Sequence, residues 1–460
     1  MNLRHTTIDN FTNSGLIKTD GTKTHTSDTR VDSGFRTTNV YIKTLENTGT
    51  ISGFAGVLLN GSTIDQFTNK GTIVGTQDSA KSVGIMVGGI INTGSTLSTI
   101  KQLDNEGIIT SKGHGVIISN GSKIETLTNK GTIEASLNGI MFHNYKDIDK
   151  ETDLGKITLD TNSVIKAGNN AIHIDGSDKD ITAEGIDVKD KALLDGGNAG
   201  IYIGGGKNLK TSINVAGTIQ GGNGGIINTG TIGQKGQTQQ QHGITIDNGG
   251  LITSKNGSGI LNTDNGIIYG NIVNKSSNNL SLKNDSSATI TSGVKNEGSG
   301  TIFVNNQGTI SKDNQGNNLT NSGSGSIVIE DWLVTTDKDS GKLDTIVVGG
   351  TQSDNVTADK ITVDESNLDL GQLDDINNII SGVKPGNISN ITTNGSGDIN
   401  LSYDPLTGKL STDFNLNASI SGATFRSLIS TTTRRSTFID NVMGNSMQSF
   451  SLASSSKSQS

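Results

Sequence analysis

The chain has 460 residues, of which 62 are Gly, 2 are Pro and none is Cys; aromatic residues make up 3% and the formal net charge is −8. This composition excludes a helix-rich protein, which would draw on Ala, Leu, Glu and Lys. It also excludes a collagen, which needs a three-residue Gly period with Pro, and any disulfide framework or thiolate metal site. An acidic chain with no evident basic face is a poor nucleic-acid partner.

Taken in chain order, the N-terminus Met1-Asn2-Leu3-Arg4-His5-Thr6-Thr7-Ile8-Asp9-Asn10 has no apolar core and is not a signal peptide. No apolar run anywhere reaches the ~18 residues of a membrane span. A ten-residue pattern follows, Ile-x-x-[Phe/Leu]-x-Asn-x-Gly-x-Ile. It begins at Ile8 (Phe11, Asn13, Gly15, Ile17) and recurs at Ile42 (Leu45, Asn47, Gly49, Ile51) and Ile64 (Phe67, Asn69, Gly71, Ile73). Ile100 (Leu103, Asn105, Gly107, Ile109) and Ile124 (Leu127, Asn129, Gly131, Ile133) open the last two copies.

A second marker interleaves, a small residue followed by an apolar run: Gly56–Leu59, Gly84–Val87, Gly115–Ile118, Gly139–Phe142, Ala171–Ile174, Gly200–Ile203 and Gly243–Ile246. Its mean spacing is about 27 residues, a solenoid period. Asn-x-Gly would stop a helix and suits a corner, so each repeat reads as three short strands and three corners. That is one coil of a parallel β-helix. The fold expected is all-β, a right-handed parallel β-helix (solenoid) with a short C-terminal α-helix.

One coil cannot bury its apolar edge alone, so neighbours stack into a continuous core at about 4.8 Å per coil. Recurrent corner Asn is expected to bond to the Asn of the next coil as a ladder. The uneven repeat spacing places insertions at corners, as in 76–83 and 92–99. The pattern decays after about residue 270, although Asn306-Gln-Gly-Thr-Ile310 and Asn321-Ser-Gly323 keep its turn. Residues 326–424 hold the only Trp, Trp332, and both prolines, Pro385 and Pro405. At 436–452 the period changes, and Phe438, Ile439, Val442, Met443, Met447 and Phe450 predict one helical face, with Thr437 and Asp440 at its start. The tail from Ser454 is polar.

These Asn-x-Gly-Thr-Ile repeats run on to Ala418-Ser-Ile-Ser-Gly-Ala-Thr-Phe-Arg-Ser427 and Thr433-Arg-Arg-Ser-Thr-Phe-Ile-Asp-Asn-Val-Met443. Together they resemble the passenger of a bacterial type V autotransporter, similar to epsilon-proteobacterial autotransporter adhesins. The resemblance implies 1–325 as β-helical passenger, 326–424 as a region that seeds passenger folding, and 425–460 as a linker helix leading to an outer-membrane β-barrel. Signal peptide and barrel are both missing here, so a passenger fragment or a split reading frame is expected.

Some passengers of this type are serine proteases. Asp32-Ser33-Gly34 lacks the leading Gly of their nucleophile motif, and His25 leaves no room for a protease domain; it reads as a corner. The carboxylates Asp147, Asp149, Glu151 and Asp153, with Asp175, Asp178 and Asp180, are candidates for the catalytic acids of a polysaccharide lyase or hydrolase, or for Ca²⁺ ligands. A solvated loop charge run is the favoured reading. Gly196-Gly-Asn-Ala-Gly200 and Gly221-Gly-Asn-Gly-Gly225 lack the Asp of calcium-binding nonapeptides. Gly204-Gly-Gly-Lys207 lacks parts of a phosphate loop. His173 alternates with Ile172 and Ile174 and so faces outward. Tyr145, Tyr202 and Tyr269 were considered as sugar-stacking rings, with ordinary surface Tyr favoured.

No catalytic, cofactor-binding or metal residue is therefore assigned. The expected function is a non-enzymatic adhesin on the bacterial surface. Its expected partner is a host-cell receptor or extracellular matrix, or a neighbouring bacterium through self-association. A carbohydrate-active enzyme on the same scaffold and a vacuolating-toxin-like passenger are the alternatives.

Overall fold

The computed structural model describes residues 1–19, 32–76, 81–88, 97–119, 121–143, 152–175, 181–205, 210, 212–235, 243–366, 368–395 and 399–414. The stretches 418–427 and 433–443 and the helical face at 436–452 lie outside them.

Strands follow one another in a three-beat order, and every third strand pairs in parallel with its predecessor. The result is a parallel β-helix. Its first side is a sheet of 16 strands running from Asn2–Arg4 to Ile391–Thr393. The second has 14 strands, from Thr7–Asn13 to Ile380–Ser381, and the third has 9, from Leu16–Lys18 to Leu251–Ser254.

The repeat motifs map onto this frame directly. Leu45, Phe67, Leu103, Leu127, Ile157, Ile186 and Ile213 stack in one inward column of the second side, all buried. Ile51, Ile73, Ile109, Ile133 and Ile165 do the same on the third. A branched side chain above its like fills the axis at every coil, and each buried Ile is worth about 2 kcal/mol. Gly56, Gly84 and Gly115 are the second residues of first-side strands and Gly139 directly precedes one; a Cβ at any of them would strike the methyl of an inward Ile and the carbonyl of the next coil.

The corner Asn residues form the expected ladder. Asn13 Nδ2 donates to Asn47 Oδ1, Asn47 to Asn69, Asn69 to Asn105 and Asn105 to Asn129, at 2.7–2.8 Å. The Gly two places on is required by the same stacking: a Cβ on Gly49, Gly71, Gly107 or Gly131 would overlap the backbone carbonyl of the Gly one coil below.

The ladder does not fade along the rod: its column is interrupted above Asn129 and returns to Asn at Asn274, Asn296 and Asn321, where Asn274 Nδ2 reaches Asn296 Oδ1 at 3.5 Å, and a second ladder opens at another corner. Above Asn129 the column continues as Leu159, Val188, Val215 and Ile246. Those coils turn instead through tight corners with left-handed residues, Asn162 at φ 62° and Lys191 at φ 58°. Their closing bonds run from Ser163 N to Asp160 O and from Ala192 N to Lys189 O, both 3.0 Å. A new ladder then starts at the end of the first side: Asn228 to Asn262, Asn284 and Asn306, at 2.7–2.8 Å.

The third side moves with it. Its sheet ends at Leu251–Ser254, and a four-stranded sheet takes over between the first and second sides, made of Thr231–Ile232, Ile267–Ile268, Thr289–Ile290 and Thr309–Ile310. The short side thus relocates from after the second side to before it, while the first and second sides run on unbroken.

Beyond residue 326 the same two sides continue through Ile327–Val334, Ile346–Gly349 and Ile361–Val363. Trp332, buried, stands where the Asn306 ladder would go on. An antiparallel hairpin, Ile399–Asp404 with Lys409–Phe414, closes this end. Its alternate residues Ile399, Leu401 and Tyr403, with Leu410, pack on the core. At the other end Leu3, Ile8, Phe11 and Ile17 are only half-buried, because no described coil lies over them.

Candidate functional site

Along each strand alternate side chains point away from the core. On the second side the outward columns are polar, such as Asn10, Thr44, Gln66, Gln102, Thr126 and Lys156. Those of the third side are mixed: Ser52, Val74, Thr110, Glu134, Lys166 and Asp195 form one.

The first side differs. One outward column reads Leu58, Met86, Ile117, Met141, His173, Tyr202, Ile227, Leu261, with Arg36 before it and Lys283 after it. Eight coils at the usual spacing make a strip about 34 Å long. Leu58, Met86 and Ile227 are buried and the others half-buried. Ala55, Leu58, Val83 and Met86, with Ile117 against them, form a second apolar cluster separate from the core.

The strip has a polar flank. His173 and Tyr202 stack with ring centroids 5.1 Å apart and planes 7° off parallel. Beside them Asn223 Nδ2 donates to Asn198 Oδ1 and Asn198 Nδ2 to Asn170 Oδ1, each 2.9 Å. Asn170 Nδ2 lies 2.9 Å from His173 Nδ1, and His173 Nε2 lies 4.0 Å from Asp175 Oδ2.

The signal for this column is in the sequence. In Gly56–Leu59, Gly84–Val87 and Gly115–Ile118 three apolar residues follow one another, and a strand cannot turn all three inward. The middle one must face out. Reading the run only as core hides the strip.

The second side carries ion pairs between coils: Lys70 with Glu46 at 2.6 Å, Lys101 with Asp65 at 2.8 Å, and Lys130 with Glu106 at 3.1 Å. Bonds from Lys101 and from Tyr41 hold Asp65 below the usual carboxylate range, and the bond to Asp65 pushes the Tyr41 phenol up. Burial would raise Asp187, but bonds from Lys156 and Asn214 outweigh it and the carboxyl sits low.

Asp313 is an enclosed carboxylate, its side chain 1% exposed. Lys295 Nζ reaches it at 3.1 Å, and the backbone N–H groups of Gln315 and Asn317 donate to Oδ1 at 2.9 and 3.0 Å. Burial raises its pKa, yet the bonds from Asn317, Lys295 and Gln315 win and hold it low. Gln315 and Asn317 belong to its own loop and Lys295 to the strand Val294–Asn296 of the neighbouring coil, so the carboxylate ties the loop to the rod and its role is structural.

Of the carboxylates weighed in the sequence, Asp147, Asp149, Glu151, Asp178 and Asp180 lie outside the described residues, as do Tyr145 and His25. Asp153 sits in the strand Thr152–Leu159, opposite Thr182. Asp175 ends the strand Asn170–Asp175. Ser33 and Gly34 open the strand Ser33–Thr38, where a Cβ on Gly34 would meet the Ser52 carbonyl, so the triplet is a strand entry.

The stretches 196–200 and 221–225 each span a corner between a third-side and a first-side strand. A Cβ on Gly197 or Gly222 would overlap the carbonyl of the coil below, and Asn198 and Asn223 between them belong to the amide chain. Tyr202 faces outward, half-buried, with one ring face stacked on His173. Tyr269 is half-buried. No group of three or more His, Asp or Glu among the described residues is placed to hold a metal ion.

No protein-family model, no curated protein and no solved structure matches this chain.

Proposed function

We propose that the chain is the passenger rod of a surface-exposed or secreted bacterial autotransporter and acts as a non-enzymatic adhesin. A host receptor or matrix protein docks along the outward column of the first side. The observation that carries the binding reading is that column: eight successive coils place apolar or aromatic groups outward on one side of a rod whose second side is polar there. Leu58, Met86 and Ile227 are buried, so the accessible part is the half-buried Ile117, Met141, His173, Tyr202 and Leu261, and exposed apolar surface of this kind favours partner binding. The export reading rests on the resemblance at 418–443 and on composition. A Cys-free chain of stacked coils can cross a narrow pore unfolded and then add coil upon coil.

The test is adhesion of beads coated with the chain to host cells and to matrix-coated plates. Wild type binds well above an inert β-helical rod. The triple variant Ile117→Glu/Met141→Glu/Leu261→Glu loses at least tenfold, with circular dichroism and Trp332 fluorescence unchanged. Wild-type adhesion no better than the inert rod, or a triple variant that adheres equally, would remove the reading.

A further inference from the structure

The chain Asn223, Asn198, Asn170, His173 has a direction. An amide nitrogen only donates, and Asn170 spends Oδ1 on Asn198 Nδ2. Its Nδ2 is therefore what faces His173 Nδ1 at 2.9 Å, and Nδ1 must accept. The neutral ring then carries its proton on Nε2, on the side of Asp175 Oδ2. At the far end Asn223 gives Nδ2 to Asn198, and being exposed it turns Oδ1 to solvent.

A proton added at Nδ1 makes two donors face each other. Turning the Asn170 amide about its soft terminal torsion relieves this, presenting Oδ1 to the imidazolium. Asn170 then offers Nδ2 to Asn198, which must accept, and Asn198 offers Nδ2 to Asn223, which must accept in turn. We propose that protonation of His173 reverses this amide chain, so that Asn223, two coils and about 10 Å away, changes from hydrogen-bond acceptor to donor at the surface. The first side would then show a different polar edge in acid than at neutral pH.

Among the described residues, the groups around His173 suit such a switch. Tyr202 covers one ring face. Met141 is its neighbour on the preceding coil, and Asp175 is the anion on its own strand. His143 lies opposite Asp175 in the register.

The test is NMR of the full chain, deuterated, with ¹⁵N in His and Asn side chains. Expected at pH 8 is the Nε2–H tautomer of His173, and on acidification the Asn223 side-chain amide moves with the His173 midpoint. In His173→Phe, which keeps the ring stack, the Asn223 response is lost. In Asn198→Ala, His173 still titrates but Asn223 no longer follows. An Nδ1–H tautomer at pH 8, or an Asn223 amide that ignores His173 or still follows it across Asn198→Ala, would overturn the relay. These readouts do not depend on whether the beads adhere.

Discussion

Nδ2 of Asn47 donates to Oδ1 of Asn69 at 2.8 Å, joining two residues 22 apart in sequence and one coil apart in space. The same amide also reaches the carbonyls of Gly49 and Thr72, at 3.3 and 3.4 Å. One side chain thus ties its own corner and the next. Both residues are wholly buried, so removing either leaves polar groups of its neighbours without a partner.

Asn69→Ala should cost roughly 2–3 kcal/mol, because Asn47 loses its acceptor and Asn105 its donor at once. Urea denaturation followed by circular dichroism measures it. A loss below about 0.5 kcal/mol would mean the ladder is geometric decoration.

The Gly stack gives a sharper contrast. Gly71→Ala drives a Cβ into the Gly49 carbonyl and should destabilise by roughly 1–3 kcal/mol. Gly15→Ala, in the first coil, meets nothing within 4 Å and should shift stability by less than about 0.5 kcal/mol. Equal effects at the two positions would refute coil stacking as the reason for the Gly.

Asp313 predicts an acid limb. Its folded pKa is depressed, so its contribution is full above the unfolded aspartate value of about 3.9 and is lost as pH falls through the lower folded value. Asp313→Ala strands Lys295, which is 17% exposed, and should cost about 3 kcal/mol at pH 7. The difference between wild type and variant should shrink below pH 4. Denaturation midpoints from pH 2 to 7 check this, and a gap that is constant with pH would count against the buried ion pair.

The hairpin caps the core. Leu401→Asp with Leu410→Asp should loosen it from the core, lowering stability by roughly 2 kcal/mol and exposing the edge strand Ile391–Thr393. Light scattering should then rise with protein concentration. Leu406→Asp is the control: at the hairpin tip, 96% exposed, it should change neither stability nor scattering.

Much of the coil was legible in the sequence. Gly before each apolar run, Ile at matched positions and Asn-x-Gly corners all report contacts repeated at every coil. What was not legible is which corner a motif occupies. Asn69-Lys-Gly-Thr-Ile73 and Asn228-Thr-Gly-Thr-Ile232 read alike, yet the first turns from the second side to the third and the second leaves the first side. The site was half legible. Strand alternation turns Leu58, Met86 and Ile117 outward, but only the register aligns them with Tyr202 and Leu261.

By itself the sequence determined the composition of a coil: which residues stack inward, where a Cβ is forbidden, and that Asn must sit at a corner. Those demands are met between a residue and its like one coil away, so they recur as a period. The tertiary structure alone decided the change of corner at Asn228, the single apolar column on the first side and the direction of the amide chain into His173. Each depends on how many residues every preceding coil uses, a sum over the whole rod that no local stretch records.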